Sequence, residues 1–122
     1  MSAHILTVDD SASVRMTTKI ALTNAGYQVT EAIDGLDGLN KAKAGNYDLI
    51  VTDLNMPNMN GLQMIEALRQ SPAHMGVPII FLTTESDADM KNRAKAAGAT
   101  GWITKPFDPE SLVKIARKVL GK

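Results

Sequence analysis

Short apolar runs alternate with amphipathic stretches along the whole chain. The segments 4–8, 48–52 and 77–83 are short and almost continuously apolar. Strands covered on both faces, as in parallel sheets, read this way. Segments 27–32 and 100–104 carry weaker strand patterns and are expected at sheet edges. Between these runs the period lengthens to that of a helix. Residues 13–25 set Val14, Thr18, Ala21, Leu22 and Ala25 along one face. Residues 61–69 set Leu62, Ile65 and Leu68 together, and 88–97 do the same with Met90, Ala94 and Ala97. Residues 109–120 align Leu112, Ala116 and Val119. Gly26, Gly45 and Gly98 stand where helix C-caps belong, and Pro109 suits a first helical turn capped by Asp108.

The alternation predicts βαβαβαβαβα, a doubly wound α/β sandwich on a five-stranded parallel sheet. Right-handed crossovers leave few topologies. The flavodoxin-like order 2-1-3-4-5, taken from known folds rather than deduced from the residues, sets strands 1 and 3 side by side. Residues 1–122 then form one domain, with no repeat, linker or low-complexity segment, and no output domain is expected.

Composition narrows the chemistry. There is no cysteine, which removes disulfides, thiolate metal sites and thiol nucleophiles. Thirteen basic residues balance 13 acidic ones, so nothing in the charge favours nucleic acid or a membrane surface. The apolar runs fall far short of the roughly 18 residues of a membrane span. Met1-Ser2-Ala3-His4 does not resemble a secretion signal. A cytoplasmic protein is the expectation.

Polar residues gather at the strand ends. Asp9 and Asp10 follow the first run, Asp53 follows the third, Thr83 ends the fourth, and Lys105 follows the fifth. Open parallel sheets do their chemistry at the carboxyl ends of strands. Three carboxylates drawn together repel one another unless a cation lies among them, and Mg²⁺ takes such oxygen ligands. With a hydroxyl and a lysine alongside, the set suits transfer of a phosphoryl group to a carboxylate. Each residue alone has a plainer reading. Asp10, followed by Ser11 and Ser13, reads equally as part of a helix cap. Asp53 reads as an acid ending a strand, Thr83 as a strand residue, and Lys105–Pro106 as a turn. The Lys105–Pro106 bond is also a candidate for the cis form. Only their coincidence on adjacent strands favours a site. Met56, Met59 and Met64 read as packing residues.

Four pieces together resemble a known family: Val8-Asp9-Asp10-Ser11, Asp53-Leu54-Asn55-Met56-Pro57 with Gly61, Thr83-Thr84, and Lys105-Pro106-Phe107. In order and spacing they look like the receiver domain of two-component response regulators, over the whole chain. The stretch Asn55-Met56-Pro57-Asn58-Met59-Asn60-Gly61 is similar to stand-alone chemotaxis regulators of the CheY type. The resemblance implies that Asp53 accepts the phosphoryl group. It implies that Asp10 and Asp53 bind Mg²⁺ through carboxylates, Asn55 through its backbone carbonyl, and Asp9 mostly through a water. Thr83 and Lys105 would contact the phosphoryl group, aided by the N–H groups of Leu54 and Thr84. The donor would be a phosphohistidine on a chemotaxis-type sensor histidine kinase, or a small acyl phosphate.

The readout implied by the family is the face of helix 4, strand 5 and helix 5, which here holds Lys91, Lys95, Trp102, Lys114 and Lys118. Its plainer reading is a solvated lysine face. The implied output partner is a flagellar motor switch protein, with no nucleic-acid or membrane partner and a monomer before phosphorylation. Trp102 departs from the family's usual Tyr or Phe, and reads equally as a moving aromatic or a static edge-strand residue. Glu85 stands where the family tunes hydrolysis, but reads first as a solvated loop acid. Catalysis of an outside reaction is not expected beyond the protein's own phosphorylation and dephosphorylation. A phosphate sink draining a shared kinase is the alternative role. A flavodoxin-like cofactor protein is a weaker one, because Asp9-Asp10-Ser11-Ala12-Ser13 has no glycine to cradle a phosphate. A metal-dependent hydrolase would need a substrate pocket, and none is evident in so short a chain.

Overall fold

In the computed structural model, residues 3–53, 59–70, 76–83, 88–104 and 107–121 are described. Strands and helices alternate as β1 (His4–Val8), α1 (Ala12–Asn24), β2 (Gln28–Ala32), α2 (Gly35–Ala44), β3 (Leu49–Asp53), α3 (Gly61–Arg69), β4 (Ile79–Thr83), α4 (Ala88–Ala96), β5 (Gly101–Thr104) and α5 (Pro109–Leu120). The sheet runs β2-β1-β3-β4-β5 and every pairing is parallel. This is the flavodoxin-like order. The two weakly patterned strands are the edges, and both are only partly buried, whereas β3 and β4 are buried throughout.

Alternation along the strands splits the core in two. Ile5, Leu49, Val51, Ile80 and Leu82 pack with Leu22 of α1 and with Leu112 and Ala116 of α5. Leu6, Val8, Ile50, Ile79 and Phe81 pack with Leu39 of α2, with Leu62, Ile65 and Leu68 of α3, and with Ala94 of α4. A sheet covered on both faces needs apolar residues at successive positions, which is why the strand runs are nearly continuous. Among the described residues, no helix is long and apolar enough to cross a membrane.

Two strand boundaries differ from the pattern in an instructive way. β3 runs one residue further than 48–52 and takes in Asp53, which pairs in register with Leu82 of β4. The acid is thus held by the ladder rather than lying beyond it. β4 begins at Ile79 because Pro78 has no N–H to give; its carbonyl still accepts from the Ile50 N–H at 3.0 Å.

Two of the four buried positions of α2 are glycines, Gly35 and Gly38, beside Leu39 and Ala42. These glycines let the helix lie close to its neighbours. A Cβ on Gly38 would stand 2.8 Å from Val8 Cγ2 and 2.9 Å from Met64 Sδ. A Cβ on Gly35 would overlap the backbone carbonyl of Met59, which cannot swing aside as a side chain can. Gly35→Ala is therefore expected to destabilise the fold by about 2–3 kcal/mol, read as a lowered urea midpoint at unchanged slope.

Gly26 and Gly98 follow α1 and α4 with φ of 98° and 101°, as C-cap glycines should. Gly45 does not fit that expectation. It ends α2 with φ −136° and ψ −177°, an extended conformation open to any residue. α5 closes instead on a left-handed Gly121, and begins with Pro109 under an Asp108 cap as expected.

Candidate acidic site at the strand ends

The site is assembled by register. β1 pairs with β3 so that Val8 faces Thr52, which brings the following residues, Asp9 and Asp53, to neighbouring strand ends. Asp53 pairs with Leu82, and Thr83 is the next residue along β4. Thr83 in turn pairs with Thr104 of β5, the residue before Lys105. Asp53 and Thr83 are buried, at 8 % and 3 % exposure, and Asp9 is buried at 2 %. Asp10 is exposed.

Local bonds fix the turn after β1. The Asp9 N–H donates to the Ala32 carbonyl at 3.1 Å, and the Ser11 N–H donates to Asp9 Oδ1 at 2.9 Å. Ser11 is the N-cap of α1, its side chain accepting from the Val14 N–H. The helix-cap reading of Asp10 therefore gives way: the residue after it takes that role. At the end of β3, Thr52 Oγ1 donates to the Asp53 carbonyl at 2.9 Å.

Asp9, Asp10 and Asp53 each bring a carboxylate oxygen to one place, and the three oxygens lie within 4.8 Å of one another. At that separation an effective dielectric near 20 gives a repulsion on the order of 3 kcal/mol for the buried pair Asp9 and Asp53. A divalent cation among them reverses the sign. The donors are hard carboxylate oxygens with no thiolate or imidazole in the group, a set that suits Mg²⁺ or Ca²⁺ rather than zinc or copper. The residues present thus fit the expected Mg²⁺.

Leu54, Asn55, Met56, Thr84, Glu85, Lys105 and Pro106 lie outside the described residues. So does the Lys91 side chain, although Lys91 falls within α4. The expected lysine face is otherwise divided. Trp102 is half-buried against the α2–α3–α4 core and, with Lys95, Ala99, Thr100, Gly101 and Ile115, lines a shallow cavity of about 310 Å³. Lys114 lines a different hollow, an open groove of about 580 Å³ between α1 and α5, together with Ala21, Ala25, Val113 and Arg117. Lys118 is exposed on α5. Helical rotation explains the split, since Lys114 and Ile115 are adjacent residues about 100° apart on α5. None of the cluster acids lines this open groove, so it is no substrate pocket for them.

One residue of the site is not singled out by the sequence pattern. Arg15 Nη1 donates to the Asp9 carbonyl at 2.7 Å. The available signal is a basic residue one turn into the helix that follows an acid pair.

Comparison with known proteins agrees with this geometry. The family model for the response regulator receiver domain matches residues 5–117. The response regulator ArlR of Staphylococcus aureus is 39% identical over 117 residues, which are 96% of this chain and 52% of ArlR. The chain spans about half the length of the curated relatives it matches. The chemotaxis response regulator CheY4 of Vibrio cholerae superposes with a TM-score of 0.94 at 43% identity, covering 98% of this chain and 100% of CheY4. The receiver domain of a sensor histidine kinase from Pseudomonas aeruginosa, with a magnesium ion coordinated in its active-site cleft, superposes at 0.91 and 27% identity, covering 100% of both chains. With the family model matched over residues 5–117 and the sheet in the order β2-β1-β3-β4-β5, the chain belongs to the response regulator receiver domains of two-component signalling.

Proposed function

We propose that the chain is a phosphorylation switch in which Asp53 accepts a phosphoryl group from a histidine kinase. The observation that carries this is the convergence of Asp9, Asp10 and Asp53 within 4.8 Å, one strand away from the buried Thr83. A carboxylate oxygen of Asp53 attacks phosphorus as the bond to the donor imidazole nitrogen breaks. The electron pair leaves with the imidazole, and Asp53 becomes an acyl phosphate. Asp9, Asp10 and Asp53 are the side chains that would hold Mg²⁺, joined by the Asn55 carbonyl. When bound, the ion supplies positive charge to the phosphoryl oxygens. Thr83 donates a hydrogen bond to one of those oxygens, and Lys105 pairs with another.

Phosphorylation adds about −1.5 to −2 charge and three acceptors at one point. It shifts the population because one conformer alone places Thr83 and Lys105 to meet those oxygens. The readout surface is the hollow where α4, β5 and α5 meet, with Trp102 and Lys95 on it. Lys114 lines the neighbouring groove. Receiver domains work between a histidine kinase and an output partner. The likeness to CheY4, a chemotaxis response regulator, supports a chemotaxis-type kinase as donor, and a flagellar motor switch protein is the output partner proposed with it.

A pull-down with the motor switch protein tests the output. Binding that rises about 10-fold or more on phosphorylation, a shift of about 1.4 kcal/mol, is the expected outcome. Phosphorylation without any change in binding would leave the phosphate-sink role in its place.

A further inference from the structure

We propose that Arg15 is a positioning residue for the acidic cluster, acting through the peptide that joins Asp9 to Asp10. The inference rests on the reading that Asp9, Asp10 and Asp53 hold a divalent cation.

Arg15 Nη1 donates to the Asp9 carbonyl at 2.7 Å, and that carbonyl belongs to the peptide plane from which Asp10 projects. The Asp9 N–H, on the other side of the residue, is tied to Ala32 of β2 at 3.1 Å. Both peptides of Asp9 are thereby fixed, while the exposed side chain of Asp10 depends on the plane it is attached to. Arg15 is itself held. Its Nε stands 3.7 Å from Glu31 Oε2 on β2, and Lys19 lies 3.5 Å from Glu31 Oε1. The Glu31 carbonyl accepts from Lys41 Nζ of α2 at 2.6 Å. The Arg15 side chain is 18% exposed and is tied at both Nη1 and Nε, so it is not a freely moving surface charge.

Two effects of Arg15 on cation binding oppose each other. As a positive charge near the cluster it repels a cation, so electrostatics alone makes binding tighter when it is removed. As an anchor of the Asp9–Asp10 peptide it sets the ligand geometry, so its removal makes binding weaker. The sign separates the two. Ion choice separates them again. Mg²⁺ demands near-octahedral ligands at short distance, whereas Ca²⁺ tolerates irregular ones. Loss of positioning costs Mg²⁺ more than Ca²⁺; loss of charge acts on both alike.

The test is calorimetric titration of Mg²⁺ and of Ca²⁺ into wild type, Arg15→Ala, Arg15→Met and Lys19→Ala, with urea midpoints for all four. Arg15→Met keeps the apolar stem and guards against a variant that fails to fold. Lys19→Ala removes a partner of Glu31 that makes no bond to Asp9. Outer-shell groups commonly matter by roughly 10–100-fold, and Arg15 is expected at the low end, about 10-fold for Mg²⁺ and about 3-fold or less for Ca²⁺. Lys19→Ala is expected to bind both ions as wild type does. Mg²⁺ binding that is unchanged or tighter in Arg15→Met, or an equal loss for both ions, would overturn the proposal. Wild type that binds neither ion overturns the cation reading itself, and this inference with it.

Discussion

Asp53→Asn abolishes phosphoryl acceptance and leaves the fold at least as stable as before. The amide has the same shape as the carboxylate, and the main-chain ties of residue 53 remain. These are the β3–β4 pairing with Leu82 and the bond from Thr52 Oγ1 to the residue 53 carbonyl. What changes is charge. One of three carboxylates within 4.8 Å becomes neutral, and the repulsion it felt in the folded state disappears. After relaxation and solvent screening we expect a gain of about 1–2 kcal/mol without metal. Addition of Mg²⁺ narrows or reverses that gain, because the ion binds the folded wild type better than the variant. At 100 times its dissociation constant a ligand stabilises by about 2.7 kcal/mol. Urea midpoints of both proteins, with and without Mg²⁺, read the crossover. Meanwhile the amide offers no anionic oxygen to attack phosphorus, so no acyl phosphate forms at any metal concentration.

Asp10→Asn has a different signature. Asp10 is exposed, and its replacement removes a charged ligand but not the acceptor. Mg²⁺ affinity is expected to fall about 10–100-fold, equivalent to about 1.4–2.8 kcal/mol. At low Mg²⁺ the rate of phosphorylation falls with occupancy, and raising Mg²⁺ restores it. The same addition does nothing for Asp53→Asn. Phosphorylation rates over a Mg²⁺ series therefore sort ligand from acceptor. Equal loss in both variants, insensitive to Mg²⁺, would contradict the division of roles.

The fold was legible because its signals are local. β1, β3 and β4 announce themselves by short continuous apolar runs, α3 by its spacing, and α5 by spacing plus the cap at Asp108. α2 was expected from the alternation, but its buried face was not, because two of its buried positions are glycines whose reason lies across space in Val8, Met59 and Met64. The site acids were legible because adjacent parallel strands turn a sequence coincidence into a spatial one. Arg15 was not, because its bond to Asp9 depends on how α1 leaves its turn. Lys114 lies toward the groove shared with α1, one step of helical rotation from Ile115, which lines the hollow beside Trp102.

Membership of the receiver family displaces the cofactor-binding reading that the fold alone would allow. It also gives the acidic cleft its expected chemistry, and the intact mass of the protein tests that most directly. Wild type and Asp53→Asn are incubated with acetyl phosphate, with Mg²⁺ and with a chelator, and sampled at short times. A gain of one phosphoryl group in wild type alone, and only with Mg²⁺, is the predicted result. No gain in wild type at any time, or the same gain in Asp53→Asn, would contradict Asp53 as the phosphoryl acceptor.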